Sequence, residues 1–511
     1  MYELPSGAEI QTIITTLKSG ALFFLPEIYL SALFLVLILL DLVVGPARRQ
    51  VMSVATLAGL LGSFYFIFQQ HSMTGTEIFF GMYVIDEFSL FFKYFLVGSA
   101  VLTVLLSMPS DELNTRSSGV GEYYVLVTGM TIGMVMMASA TDLLMIFLAM
   151  ELVSLAAYVL TGYLKRERRS TEGALKYLVY GAVSSGLMIY GFSILYGMTG
   201  VTNIVAINEV LTERGYDPLL LMVASLMILA GIGYKVGAVP FHFWSPDVYE
   251  GAPMPVTAFL SVASKAAGFA LLIRFFYVAV PHTPQASGFV PGLDWVTLLM
   301  ILSVASMVYG NIVALWQRNV KRLLAYSSIA HAGYVLLGII VMDELGTQAT
   351  LFYLLSYLFM NFGAFLVAII IGNKTGSDNI EDYRGLGRRM PLAGAAMTVF
   401  LVSLVGLPPT VGFIGKLMIF SALLAKGSVF IWLALVGILT SVISLYYYML
   451  IPLNMYLKEA KEPLPDTIKS GFLPQLVTAC LMILTLYFGI FFTPLSDFAL
   501  YAITVFGNQL F

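Results

Sequence analysis

The 511-residue chain is 59% hydrophobic and 11% charged, with a net charge of −3, against roughly 25% charged residues in an ordinary soluble domain. That balance excludes a soluble enzyme and indicates an integral membrane protein, because apolar windows of about 20 residues, each able to cross a hydrocarbon core of roughly 30 Å, recur throughout. A single cysteine, Cys480, and four scattered histidines, His71, His242, His282 and His331, exclude a disulfide, an iron–sulfur cluster or a zinc site built within this chain.

Taken in chain order, the apolar windows predict fourteen spans: 22–45, 50–69, 82–108, 121–140, 141–163, 172–200, 218–240, 253–281, 293–316, 320–341, 348–371, 392–425, 428–457 and 472–493. No dinucleotide or phosphate-binding glycine motif is expected, since no strand precedes one. The N-terminus carries acidic residues and no basic region ahead of its first apolar run, so no cleaved signal peptide is expected.

Basic residues test the count, because short cytoplasmic loops collect positive charge. If the loop "GPARRQ" is inside, most of the 26 basic residues share its side, among them Arg48, Arg49, Arg116, Lys165, Arg166, Arg168, Arg169, Arg318, Lys321, Arg322, Lys374, Arg384, Arg388, Arg389, Lys458, Lys461 and Lys469. Lys18, Arg214 and Lys426 fall opposite. This parity puts both termini on the outer side.

Spans four to eight and nine to thirteen are five crossings each, and an odd number inverts the second unit relative to the first. The fourth span of each unit carries a lysine and a break: Lys235 with "AVPFHFWSP", Lys416 with "GLPPTVGFIGK". Proline removes a backbone donor and clashes with the preceding turn, so Pro240 and Pro408-Pro409 each open a helix near mid-membrane. Matching interrupted helices in two inverted halves point to an ion pathway. The expected fold is an all-α polytopic membrane protein of about fourteen transmembrane helices, with two inverted five-helix repeats and two broken helices. Its parts are three N-terminal helices in 1–120, a first repeat in 121–281, a second in 293–457 and a C-terminal helix in 458–511.

Six basic residues lie within or at the edges of spans. Lys176 and Arg274 are near span ends, where snorkelling to the interface is expected. Lys93, Lys235, Lys265 and Lys416 are deeper, and a central lysine costs roughly 3 kcal/mol on insertion scales, which marks such residues as functional by default. Lys93 reads either as a relay member or as a helix-packing residue.

Glu151, in "IFLAMELVSLAAY", is the carboxylate near the centre of an otherwise uncharged span, and Lys235 and Lys265 are its natural partners. Together with Lys416 they can form a row across mid-membrane. Desolvation favours the neutral amine and a nearby carboxylate the ammonium, so moving that carboxylate switches a lysine between holding and releasing a proton. The bland alternative is a set of static ion pairs that fix helix packing. His242 and His331, in "YSSIAHAGY", can relay protons or simply pack through hydrogen bonds. Asp247 and Glu250 are expected to cap or line the loop after the first broken helix.

The stretches "GYKVGAVPFHFWSPDVYEGAPMPVTAFLSVASKAAG", "MELVSLAAYVLTGYLKRERRSTEGALKYLVYGAVSSG", "NVKRLLAYSSIAHAGY" and "YRGLGRRMPLAGAAMTVFLVSLVGLPPTVGFIGKL" resemble the antiporter-like subunit N family of NADH:quinone oxidoreductase, respiratory complex I, over about residues 20–490. Lys416 separates it from the M-type, which usually has glutamate there, and 511 residues leave no room for the lateral helix of the L-type.

The resemblance implies a proton-translocating subunit of a complex I type enzyme in a bacterial cytoplasmic (inner) membrane. It implies Glu151, Lys235, Lys265 and Lys416 as proton-channel residues, with His242 and His331 on the connecting axis. No cofactor or metal is expected in this chain: NADH, FMN, iron–sulfur clusters and quinone fall to partner subunits. The expected partners are M-type, K-type, J-type and A-type neighbours and the lipid bilayer, with no nucleic acid.

The rival reading is an Mrp-type cation/proton antiporter on the same fold. A sodium site would want several oxygen ligands, whereas the deep row has three lysines to one glutamate, which favours protons. A third reading is an inert membrane scaffold.

Overall fold

The computed structural model describes residues 6–44, 48–116, 120–280, 295–460 and 471–507. The Gly45-Pro46 turn, His282, Lys461 and Lys469 lie outside them. The chain runs α1 (Gly7–Phe23), α2 (Leu25–Val43), α3 (Arg48–Gln69), β1 (Thr76–Ile78), β2 (Tyr83–Ile85), α4 (Glu87–Ser107), α5 (Asp111–Arg116), α6 (Gly121–Ser139) and α7 (Leu143–Thr161). Next come α8 (Arg168–Thr199), α9 (Ile204–Arg214), α10 (Pro218–Val236), α11 (Ser245–Gly251), α12 (Met254–Phe259) and α13 (Lys265–Val278). The remainder is α14 (Trp295–Ala314), α15 (Val320–Val341), α16 (Glu344–Thr375), α17 (Leu386–Arg389), α18 (Pro391–Val405), α19 (Val411–Lys426), α20 (Ile431–Leu457), α21 (Phe472–Ile490) and α22 (Thr493–Gly507).

Among the described residues, 13 helices are long and apolar enough to cross a membrane. The fourteenth expected crossing, 392–425, is the interrupted pair α18 and α19, each too short to span alone. The protein is a multi-pass membrane protein built almost wholly of helix.

Many helix ends follow from local chemistry. The side chains of Asp142, Asn203, Asp217, Asn319 and Asp343 accept from the orphan amides of α7, α9, α10, α15 and α16. Gly200, Gly237, Gly376 and Gly406 end α8, α10, α16 and α18 in the left-handed region, where a Cβ is disfavoured.

Both expected breaks are present. The first helix stops at Val236 and resumes at Ser245, and the second stops at Val405 and resumes at Val411. A third irregularity was not anticipated: a π-helical turn, Leu260–Ser264, separates α12 from α13 immediately before Lys265. Such turns often sit at functional positions.

Two corrections concern elements. A short antiparallel hairpin pairs Thr76 with Ile85 and Ile78 with Tyr83, although no strand was expected; the alternating apolar residues flank a glycine, Gly81, at positive φ. The helices α1 and α22 flank the predicted spans. They escaped a search for apolar windows because α1 is 17 residues long and mixed in polarity and α22 is 15 residues long and begins at Thr493-Pro494.

The spans Met254–Val278 and Val320–Val341 are almost wholly buried, and most of Glu344–Thr375 is buried too. By contrast α8, α14, α20 and α21 leave apolar faces exposed, such as Leu175, Tyr190, Ile301, Leu439 and Ile483. Apolar surface toward lipid costs nothing, so the polar residues concentrate in the central helices, which lipid does not touch.

Candidate functional site

The three deep lysines are all buried, with 2–4% of their surface exposed. Lys235, in the last turn of α10, donates to Ser154 Oγ on α7 at 3.1 Å. Ser154 lies one turn after Glu151, whose charge acts on Lys235 without an ion pair within 4.0 Å among the described residues. Glu151 Oε1 is buried and has no hydrogen-bond partner. The expected direct contact is therefore replaced by a hydroxyl bridgehead beside a partly unsatisfied carboxylate.

Two glycines let the segments of Lys235 and Lys265 pack closely. The stem of Lys235 lies against Gly268, where a Cβ would be 3.3 Å from Lys235 Cγ. The head of Lys265 lies against Gly237, where a Cβ would be 3.2 Å from Nζ. Each lysine thus occupies space that a glycine of the opposite helix leaves open.

Lys265 Nζ donates to the carbonyl and Oγ of Ser328 on α15, at 3.0 and 2.9 Å. Its neighbour Ser327 shares a hydrogen bond with Tyr448 of α20. Tyr448 in turn lies 3.1 Å from His331 Nε2, and Tyr353 of α16 lies 2.6 Å from His331 Nδ1. His331 is therefore bonded at both ring nitrogens. Tyr353 packs on Gly415, the residue before Lys416.

Lys416 sits at the second break. Its Nζ donates to the carbonyls of Leu404 and Val405 at 3.2 and 2.8 Å and to Ser441 Oγ at 2.8 Å, and stands 4.3 Å from the centre of the Tyr334 ring. Those carbonyls are the orphan acceptors at the C-terminal end of α18, which also carries the negative end of the helix dipole. The broken helix thus supplies the ligands of its own lysine.

His242 lies in the first break and is buried, yet neither ring nitrogen has a hydrogen-bond partner. Its ring stands 4.5 Å from those of Phe243 and Tyr309, and Lys265 is the charge acting on it. It is not part of the hydrogen-bonded line through His331. The hydroxyls of Ser154, Ser327, Ser328, Tyr353, Tyr448 and Ser441 were not singled out from sequence. The available signal was polar residues within wholly apolar spans, most visible in "YSSIAHAGY".

Asp247 and Glu250, on α11, face a basic cluster. Arg322 Nη1 donates to Asp247 and Glu250 at 2.8 Å each, Lys176 reaches Asp247 at 2.6 Å, and Arg169 reaches Glu250 at 2.9 Å. Burial alone would raise the Asp247 carboxyl; the bonds from Lys176 and Arg322 outweigh it and hold it below the usual carboxylate range. This network ties the short second half of the broken helix in the first repeat to α15 of the second.

Lys176 is partly exposed, as a snorkelling residue would be. Arg274 is not: it is buried, forms two 2.8 Å bonds with Asp86 and donates from Nε to the Ala138 carbonyl at 2.9 Å. The snorkelling reading of Arg274 is corrected, because a nearby carboxylate and carbonyl satisfy the guanidinium inside the bundle. Lys93 is also paired, with Glu27 at 2.7 Å and with Gln70 at 2.7 Å. No group of three or more His, Cys, Asp or Glu residues able to hold a metal occurs among the described residues.

The family described as NADH:quinone oxidoreductase/Mrp antiporter, TM, matches residues 140–444, the stretch that contains every residue of the row. The chain is 65% identical to the NADH-quinone oxidoreductase subunit N of Chlorobium chlorochromatii over the whole of both chains. The chain belongs to the subunit N family. A chain of respiratory complex I from Thermus thermophilus with bound aureothin matches the present subunit N family chain with a TM-score of 0.75 and 33% identity, over 92% of this chain and 98% of that one. A chain of the Mrp complex from Dietzia sp. DQ12-45-1b has a TM-score of 0.79 at 19% identity, over 96% and 98%, which marks a shared fold.

Proposed function

We propose that this chain is a proton-translocating membrane-arm subunit of a complex I type quinone oxidoreductase, and that Glu151, Lys235, Lys265, His331 and Lys416 carry the proton. The redox centres and the nicotinamide and quinone sites belong to partner subunits, with M-, K-, J- and A-type subunits as membrane neighbours. The basic end of the bundle faces the cytoplasm of a bacterial cell, so the hairpin end and both termini face outward.

The observation that carries this reading is the set of partners around the lysines. Lys235, Lys265 and Lys416 are held by hydroxyls and carbonyls and have no carboxylate within 4.0 Å among the described residues. A hydroxyl accepts from an ammonium and donates to a neutral amine, so Ser154, Ser328 and Ser441 serve both protonation states. A scaffold of static ion pairs would put a carboxylate on each lysine instead.

In the mechanism that follows, a change in the distance between Glu151 and Lys235 alters how firmly Lys235 holds its proton. Lys265 exchanges with Lys235 through the contact at Gly237 and Gly268. The line from Ser328 past Ser327, Tyr448, His331 and Tyr353 leads toward Lys416, which exchanges with the outer side. His242 joins as a branch at Lys265. Quinone reduction in the partner subunits supplies the energy.

Changing Lys235 to alanine in the assembled complex tests the proposal. The expected result is a lower number of protons moved per electron at preserved assembly. Undiminished pumping sinks the reading, and loss of assembly favours a scaffold.

A further inference from the structure

At the hairpin end, away from the row, a second buried charged group has no part in the path described above. Lys93 on α4 and Glu27 on α2 are 0% and 1% exposed and pair at 2.7 Å. Glu27 Oε1 also accepts from the Tyr83 hydroxyl at 2.6 Å. Gln70 orients the amine from the far side, taking a bond from Lys93 and giving one to the Phe23 carbonyl at 2.7 Å. The other carboxylate oxygen, Glu27 Oε2, is buried with no hydrogen-bond partner, and Ser139 Oγ, near the Tyr83 hydroxyl, is likewise unpartnered.

A purely structural ion pair satisfies its atoms, because an unpaired carboxylate oxygen in a dry interior costs several kcal/mol. Here a carboxylate oxygen of the pair is left open, which suits a proton or a bridging water. The position also connects inward. The helix α4 packs on α12, the π turn and α13, the elements that present Lys265. Asp86, the N-cap of α4, grips Arg274, nine residues after Lys265 on α13. The charges of Asp86 and Arg274 both act on Lys93.

We propose that Glu27 and Lys93 form a further proton-exchanging pair for the same translocation, at the outer end of the subunit; the inference rests on the function proposed above. In the step, an Nζ–H bond of the Lys93 ammonium breaks and an O–H bond forms on the Glu27 carboxylate, which leaves both groups neutral. The Glu27 carboxylic acid then gives its proton to water on the outer side. Lys93 takes a new proton from the interior, and the ion pair is restored. Asp86 and Arg274 are positioning residues that hold α4 to the helix of Lys265.

The test uses the purified complex in vesicles, measuring protons moved per electron separately from the rate of quinone reduction, in the double variant Glu27→Gln, Lys93→Met and in Lys235→Ala. The expected result is that both variants lower the proton-to-electron ratio to the same extent. A double variant that keeps the full ratio while Lys235→Ala loses it overturns the inference and leaves the function intact. A full ratio in Lys235→Ala overturns both. If the double variant does not assemble, Glu27→Asp decides: it keeps the charge but shortens the reach to Lys93, so a lowered ratio in an assembled complex is expected and an unchanged one overturns the proposal.

Discussion

Lys265 and Gly237 share one space: a Cβ on Gly237 would stand 3.2 Å from Lys265 Nζ, and Gly237 itself is at φ 68°. The Gly237→Ala variant therefore meets two obstacles, a left-handed backbone that costs about 1–2 kcal/mol for a residue with Cβ and a crowded ammonium. The expected outcome is a complex that assembles with a lower melting temperature and pumps several-fold more slowly, read by thermal unfolding and by proton uptake into vesicles. Gly200, also left-handed but with nothing within 4 Å, supplies the control: its alanine variant carries the backbone cost without the change in pumping.

At the second break, Ser441 Oγ accepts from Lys416 and donates to the Val405 carbonyl at 2.7 Å. Removing a hydrogen bond to a charged group costs about 1.5–3 kcal/mol. Ser441→Ala is expected to slow pumping roughly tenfold or more while leaving assembly unchanged, because two carbonyls still hold Lys416. Equal pumping in wild type and variant would remove Ser441 from the path.

His331 bonds to both Tyr353 and Tyr448, so its loss leaves the buried Tyr353 hydroxyl without that partner, while Tyr448 keeps Ser327. His331→Phe is expected to lower both thermal stability and pumping. His331→Gln, which keeps hydrogen-bonding capacity but cannot pass a proton through the ring, is expected to restore stability and not pumping. Restoration of both would make His331 a packing residue.

The Asp86–Arg274 pair predicts a pH dependence. Burial alone would raise the Asp86 carboxyl; the Arg274 guanidinium and the bonds from Ser89 outweigh it and hold it below its ordinary value of 3.8. Since the folded value is depressed, the stabilisation is present above the unfolded value and is lost as pH falls through the folded one. Melting of the complex is expected to lose stability below about pH 4, and this acid loss is smaller in Asp86→Asn, where only other depressed carboxyls such as Asp247 still contribute. That variant is also expected to be less stable at neutral pH by about 3–5 kcal/mol, since it leaves a buried guanidinium without its counter-charge.

Much of the architecture was legible in the sequence because a bilayer imposes a length and a polarity that a single chain displays directly. The thirteen long spans fall on predicted windows, and the fourteenth is broken where Pro408-Pro409 forbids a regular helix. The deep lysines were legible for the same reason, as charges that lipid does not tolerate. Arg274 was misread because its position near a span end suits snorkelling, and nothing nearby in the chain reveals Asp86, 188 residues earlier. The hydroxyls around the lysines were passed over because serine and tyrosine are common in membrane helices, and only their neighbours distinguish a ligand from a packing residue.

The sequence by itself determined the membrane class, the spans, the two interrupted helices and the identity of the buried ionisable residues, since each rests on chemistry local to a window. The tertiary structure alone decided who touches whom. It placed Ser154 rather than Glu151 on Lys235, turned the freed carbonyls of α18 toward Lys416, and drew Glu27 to Lys93 across 66 positions of chain. Hydrogen bonds act over about 3 Å, and which groups come that close depends on how the helices cross, which no single window contains.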